Sequence, residues 1–177
     1  MTQKLNDQER LALYYRVRER VEASGADDSA GGCFYYTYYG MLELARVGIN
    51  ACVQAGSLNW PIVEPDRVDE VHHTHFGYVW SPDTSQSKLA VELGHLPECH
   101  IWIGVVETQE LIDFAIHGLP ISLRRNLPGV RWETSKPSLY YWGSPEGVPD
   151  RVHYTCEPEA CVYVGTLMKK MLQEGKL

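Results

Sequence analysis

The sequence predicts an α+β fold in which a cysteine-bearing helix near the N-terminus packs on an antiparallel β-sheet. Three observations lead there. The stretch from Gly31 to Ile49 reads as a helix with apolar side chains on every face, and a helix apolar all round is a central, buried one. Cys99 to Val106 alternates, with Ile101, Ile103 and Val105 on one face and His100 and Trp102 on the other, which is the period of a strand. The apolar run Leu111-Ile112-Asp113-Phe114-Ala115 follows after a short polar segment and supplies an antiparallel partner.

Taken in order, Asp7 to Ala23 reads as an amphipathic helix. Asp7 is placed to cap its start, and Leu11, Tyr14, Val17 and Val21 lie on one face. Ser24 to Gly32 is a loop of small and acidic residues that serves as connection or carries a polar group beside the Cys33 thiol, with Ser29 and Asp28 the polar residues closest in sequence. The central helix then opens at Cys33. Phe34, Tyr38, Met41, Leu42 and Ala45 recur at helical spacing, Arg46 suits its C-terminal end, and Gly48 fits the C-cap. Gly40 inside it costs about 1 kcal/mol relative to Ala, so another element is expected to pack close there. Ile49 to Ala55 and Trp60 to Val63 read as two strands joined by a turn at Gly56-Ser57-Leu58-Asn59. Glu64 to Val71 reads as loop, Phe76 to Trp80 as a strand and Ser81 to Ser87 as a polar loop. Beyond Ala115 five prolines, from Pro120 to Pro149, break the chain. Arg151 to Thr155 is a last strand and Glu159 to Gln173 a closing helix with Pro158 near N1.

Composition narrows the function classes. The 177 residues suit one domain, 44% hydrophobic and 22% charged. A net charge of −7 offers nothing to a phosphate backbone, so no nucleic-acid partner is expected. No apolar run is long enough to span a membrane, and the polar start Met1 to Asp7 does not resemble a signal peptide. Five cysteines without a disulfide framework point to a reducing, cytoplasmic setting. No glycine-rich phosphate loop follows a strand, so no cofactor is expected.

Chemistry concentrates on three residues. Cys33 opens a helix, where the macrodipole favours the thiolate; the plain alternative is a small core residue. His100 opens a strand, and Asp113 sits in the apolar run of the next one. A thiol nucleophile needs a base within hydrogen-bond reach, and the base needs an orienting group on its other nitrogen. An acid inside an apolar run also needs a partner. The hairpin register decides whether they meet. A turn at Val105 to Thr108 puts Asp113 opposite His100, whereas a turn centred on Thr108-Gln109 puts His117 there.

Gly32-Cys33 followed by Leu44-Ala45-Arg46-Val47-Gly48-Ile49, then His100-Ile101-Trp102 and Leu111-Ile112-Asp113, resembles the transglutaminase-like branch of the papain-like cysteine proteinase superfamily. The likeness runs from Gly31 to Ala115. It implies a papain-like/transglutaminase-like core with Cys33 as nucleophile, His100 as general base and acid, and Asp113 as the orienting carboxylate. It implies thiol-dependent acyl transfer or hydrolysis of an amide, ester or thioester, with a peptide, amide or small acyl donor as substrate. The sequence departs from that pattern in two places: Phe114 follows Asp113 where Pro is usual, and no Gln precedes Cys33 as an oxyanion donor. The backbone N–H of Cys33 is one donor on offer.

Two rivals from other classes stand beside this reading. One is a non-catalytic binding module on the same fold. The other is a metal-binding protein using His72, His73 and His75, with His95, Cys99 and His100 as further ligand types, although the spacing matches no zinc pattern. Cys156 and Cys161 are too far apart for a redox CxxC and read as structural. Cys99, beside His100, is a rival thiol.

Overall fold

The computed structural model describes residues 5–26, 32–63, 73–93, 95–127 and 129–177. Among them are five α-helices and a curled antiparallel sheet. Helix α1 (Asp7–Ala23) is capped by Asn6, not Asp7. The Asn6 side chain accepts from Glu9 N–H, and the Glu9 carboxylate accepts in return from Asn6 N–H. The expected loop residues Asp28 and Ser29 lie outside the described residues.

Helix α2 (Gly32–Arg46) is the centre of the molecule. Tyr36 and Leu44 pack with Leu13, Tyr14, Val17 and Val21 of α1. Phe34 and Tyr38 pack on Ala160, Val164 and Met168 of the closing helix α5 (Pro158–Gln173). Each such buried side chain contributes roughly 1.5–3 kcal/mol. The expected apolar stripe is corrected at two positions, because Leu42 and Ala45 are exposed while Glu43 is buried. Glu43 turns inward because Arg16 and Arg20 of α1 and Arg46 of α2 reach its carboxylate at 3.1, 2.9 and 2.6 Å. Gly40 has the close neighbour its position implied: a Cβ there would stand 2.6 Å from Ile103 Cδ1 and 2.8 Å from Phe114 Cδ2. Gly48, at φ 75°, ends the helix, and Ile49 N–H donates back to the Leu44 carbonyl at 3.0 Å.

Strand β1 (Ala51–Val63) is one continuous strand, not two with a turn. It organises the sheet. It pairs with β3 (His100–Val105) over Ala51–Gly56 and with β2 (His73–Tyr78) over Leu58–Val63. It also pairs with β7 (His153–Cys156) over Gly56–Asn59 and with β5 (Arg131–Trp132) at Ile62 and Val63. Gly56, Leu58 and Asn59 each have partners on both sides, so the small turn-forming residues there lie mid-sheet. Turn composition signalled a break, and pairing on two edges overrode it. Strand β4 (Leu111–Asp113) joins β3 to β6 (Tyr141–Gly143), giving the order β2-β1-β3-β4-β6.

Helices α3 (Ser85–Glu92) and α4 (Leu119–Asn126) fall where the sequence suggested loop or irregular chain. Pro120 is in the first turn of α4, where a missing N–H costs nothing, so it starts a helix there and does not break one. Thr84 caps α3 by accepting from Ser87 N–H.

Candidate active site

Three elements deliver the expected residues to one place. Cys33 is in the first turn of α2 and half-buried. His100 is the first residue of β3, 2% exposed, and Asp113 is the last of β4, 1% exposed. The hairpin between β3 and β4 takes neither register weighed from the sequence. Ile103 faces Ile112 and Gly104 faces Leu111, so the turn is centred between Glu107 and Thr108. Gln109, at φ 57°, closes the loop, with its N–H donating to the Val105 carbonyl. Continuing that register sets Asp113 opposite Trp102. Asp113 therefore shares the face of His100 and reaches it on the diagonal, a distance that a carboxylate and an imidazole span together. His117 is elsewhere, packed against Tyr14 and Tyr36.

His100 Nε2 and Asp113 Oδ2 are 2.7 Å apart. An ionised carboxylate only accepts, so Nε2 carries the proton. Asp113 Oδ2 also accepts from the Tyr154 hydroxyl at 2.8 Å, and Oδ1 accepts from Ala115 N–H at 2.9 Å. The buried acid is thus fully partnered. With Nε2 engaged, Nδ1 is the nitrogen left for Cys33. It is buried and makes no formed hydrogen bond among the described residues, while the thiol is near enough to act on the ring. Burial is the largest influence on His100 and disfavours its charged form. The Asp113 charge and hydrogen bond, joined by Cys33, outweigh it and raise the pKa from 6.5 to about 10.

An aromatic wall encloses the imidazole. Tyr78 stacks on it at 5.4 Å between centroids and 10° between planes, and Trp102 lies 6.1 Å away at 22°. Trp102 is fixed by donating Nε1–H to Gln54 Oε1 at 2.6 Å. The register of β1 explains the stack. His100 faces Gly56, Trp102 faces Gln54, and both Tyr78 and Tyr154 face Leu58. Positions 54, 56 and 58 alternate onto one face, so their partners share it. Tyr78, Tyr154 and Gln54 were not singled out from the sequence, because strands paired far apart along the chain leave no local signal.

The other candidates separate. Cys99 is buried, and burial followed by the charge of neighbouring thiols pushes it up to about 12, which makes it a poor rival nucleophile. His72 lies outside the described residues; His75 is exposed on β2 and His95 is exposed before β3. Among the described residues no three His, Cys, Asp or Glu side chains are grouped to hold a metal. None of the described helices is long and apolar enough to cross a membrane.

No family model matches the sequence, and no curated protein matches it. Among solved structures the chain is similar to a crystal structure described as a genomics target, with a TM-score of 0.46 and 13% identity over 92% of this chain and 72% of that one.

Proposed function

We propose that the protein is a cysteine hydrolase or acyltransferase built on a papain-like/transglutaminase-like core, acting on an amide, ester or thioester through Cys33, His100 and Asp113. One observation carries the reading. A buried imidazole is tied to a carboxylate through Nε2, and its orphaned Nδ1 is left to a helix-borne thiol. A buried polar atom without a formed bond is rare, and catalytic hydrogen bonds tighten only when substrate arrives. The chain order of Cys helix, His strand and Asp strand also supports it.

In this reading the Cys33 proton passes to His100 Nδ1 and the thiolate sulfur attacks the acyl carbon. The first-turn N–H groups of α2, which have no partners within the helix, face the developing oxyanion. Collapse of the tetrahedral intermediate breaks the bond to the leaving amine, alcohol or thiol, which takes the proton from His100 Nδ1. Neutral His100 then accepts a proton from water or an amine as it attacks the thioester, and the Cys33 sulfur departs. Asp113 stays ionised throughout and holds the ring's tautomer and angle. The aromatic wall excludes water from the His–Asp bond.

The test is the alkylation rate of each cysteine by iodoacetamide across pH, read by mass spectrometry. Cys33 is expected to react fastest, and His100→Ala is expected to remove that advantage. An inert Cys33, or one no faster than the exposed Cys52 and Cys156, overturns the reading and leaves a binding module.

A further inference from the structure

We propose that Cys156 and Cys161 are an oxidisable dithiol that closes into an intramolecular disulfide by exchange with a low-molecular-weight disulfide. The sequence spacing argues against a pair, and the fold reverses that argument. Strand β7 ends at Cys156, and Glu157 N–H donates to the Ala55 carbonyl at 2.9 Å, anchoring the corner to β1. Pro158 starts α5 at once, and Cys161 N–H donates back to the Glu157 carbonyl at 3.0 Å. This tight strand-to-helix corner brings the two sulfurs to 3.5 Å.

A disulfide needs about 2.05 Å, so the remaining gap is roughly 1.5 Å, within reach of side-chain rotation. What opposes closure is local and weak. Cys161 Sγ accepts from Ala55 N–H at 3.3 Å and sits 3.6 Å from the Ala55 carbonyl. Cys156 is exposed and Cys161 half-buried, which sets the order of events. The Cys156 thiolate attacks the small disulfide; its S–S bond breaks and one half leaves as a thiol. The Cys161 sulfur then attacks the mixed disulfide at Cys156, the protein S–S bond forms, and the second half leaves. Two electrons pass from the protein dithiol to the small disulfide, and the two thiol protons leave with its halves. Burial, with the neighbouring thiol, raises Cys156 to about 11, so the attack is slow near neutrality and equilibrium is the quantity to read. This dithiol is independent of the Cys33 reading.

The folded protein is equilibrated in glutathione redox buffers of graded ratio, quenched with an alkylating agent and digested with trypsin. Residues 152–169 contain no internal Lys or Arg, so both thiols fall in one peptide. The expected result is that this peptide becomes two hydrogens lighter and loses both alkylation sites together. In Cys161→Ser, Cys156 is expected to remain as the glutathione adduct. A stable glutathione adduct on Cys156 of the wild type overturns the proposal. So do two thiols still fully alkylated at a ratio where exposed Cys52 is already modified. Phenylarsine oxide, which bridges paired thiols, gives a second readout on the wild type alone. Its adduct is expected on the same peptide, and its absence there overturns the proposal.

Discussion

Replacing Asp113 with Asn removes the charge that holds the site in its present state. In the wild type, burial alone would drive the His100 pKa below 6.5; Asp113 and Cys33 bring it to about 10. That rise corresponds to roughly 5 kcal/mol in favour of the imidazolium, and at pH 7 to about a thousandfold excess of the protonated ring. In Asp113→Asn the amide still accepts the Nε2 bond but brings no charge. Burial, the largest single influence, is then opposed by Cys33 alone, so the pKa falls and the protonated-to-neutral ratio at pH 7 falls tenfold for each unit of that fall. The amide also turns a donor towards Ala115 N–H, at a cost of about 1–3 kcal/mol in stability, so the fold is checked by near-UV circular dichroism. The assay is an NMR titration of His100 with ring nitrogen labelling, run beside Cys33 alkylation rates. A wild-type His100 titrating at its ordinary value would refute the reasoning. So would a value that does not fall in Asp113→Asn.

Other expectations follow from the same contacts. Tyr154→Phe keeps the ring and loses a donor to a buried carboxylate, so stability to urea should fall by about 1.5–3 kcal/mol. His100 also makes stability depend on pH. Its folded pKa is raised, so its contribution is complete below 6.5 and is lost as pH rises towards about 10. The unfolding free energy of the wild type, read from urea melts, should decline over that window by up to about 1.4 kcal/mol per pH unit, and over a narrower window in Cys33→Ser, which lacks the Cys33 share of the rise. Glu43→Ala removes the anchor for three arginines that can turn to solvent, so it should cost about 1–3 kcal/mol, below the usual penalty for a charge stranded in the interior. Gly40→Ala gains about 1 kcal/mol of helix propensity. It also forces a Cβ to 2.6 Å from Ile103 and 2.8 Å from Phe114, an overpacking of about 1–3 kcal/mol. A thermal midpoint higher than wild type would show that the propensity gain outweighs the clash.

Much of the fold was legible where a signal is local. The apolar wrap of α2, its glycine C-cap and the tight approach at Gly40 are written in adjacent residues, as is the alternation of β3. The errors came where distant pairing decides. Gly56-Ser57-Leu58-Asn59 has turn composition, yet β3, β2 and β7 hold it straight. Leu42 and Ala45 leave the expected stripe and Glu43 is buried, because three arginines from two helices converge on its carboxylate. Pro120 marks a helix start where composition alone signals a break, because a proline's meaning depends on where the next turn begins.

The site shows the same division more sharply. Cys33, His100 and Asp113 stand out as candidates by residue type and chain order, because each breaks a local expectation: a cysteine after two glycines, a histidine at a strand's head, an acid in an apolar run. Their geometry depends on β1. One face of that strand carries Gln54, Gly56 and Leu58. Across its edges these fix Trp102 opposite Gln54, His100 and Cys156 opposite Gly56, and Tyr78 and Tyr154 opposite Leu58. A register change of one residue in β1 would take Tyr78 and Tyr154 off the face that His100 and Asp113 share through the β3–β4 register, costing Asp113 its Tyr154 donor. Deep burial of His100 and Asp113 therefore requires both the hairpin register and the continuity of β1 through Gly56. The residues with the weakest strand propensity in β1 stand at the point where the sheet must be continuous for an imidazole, a carboxylate and two tyrosines to meet.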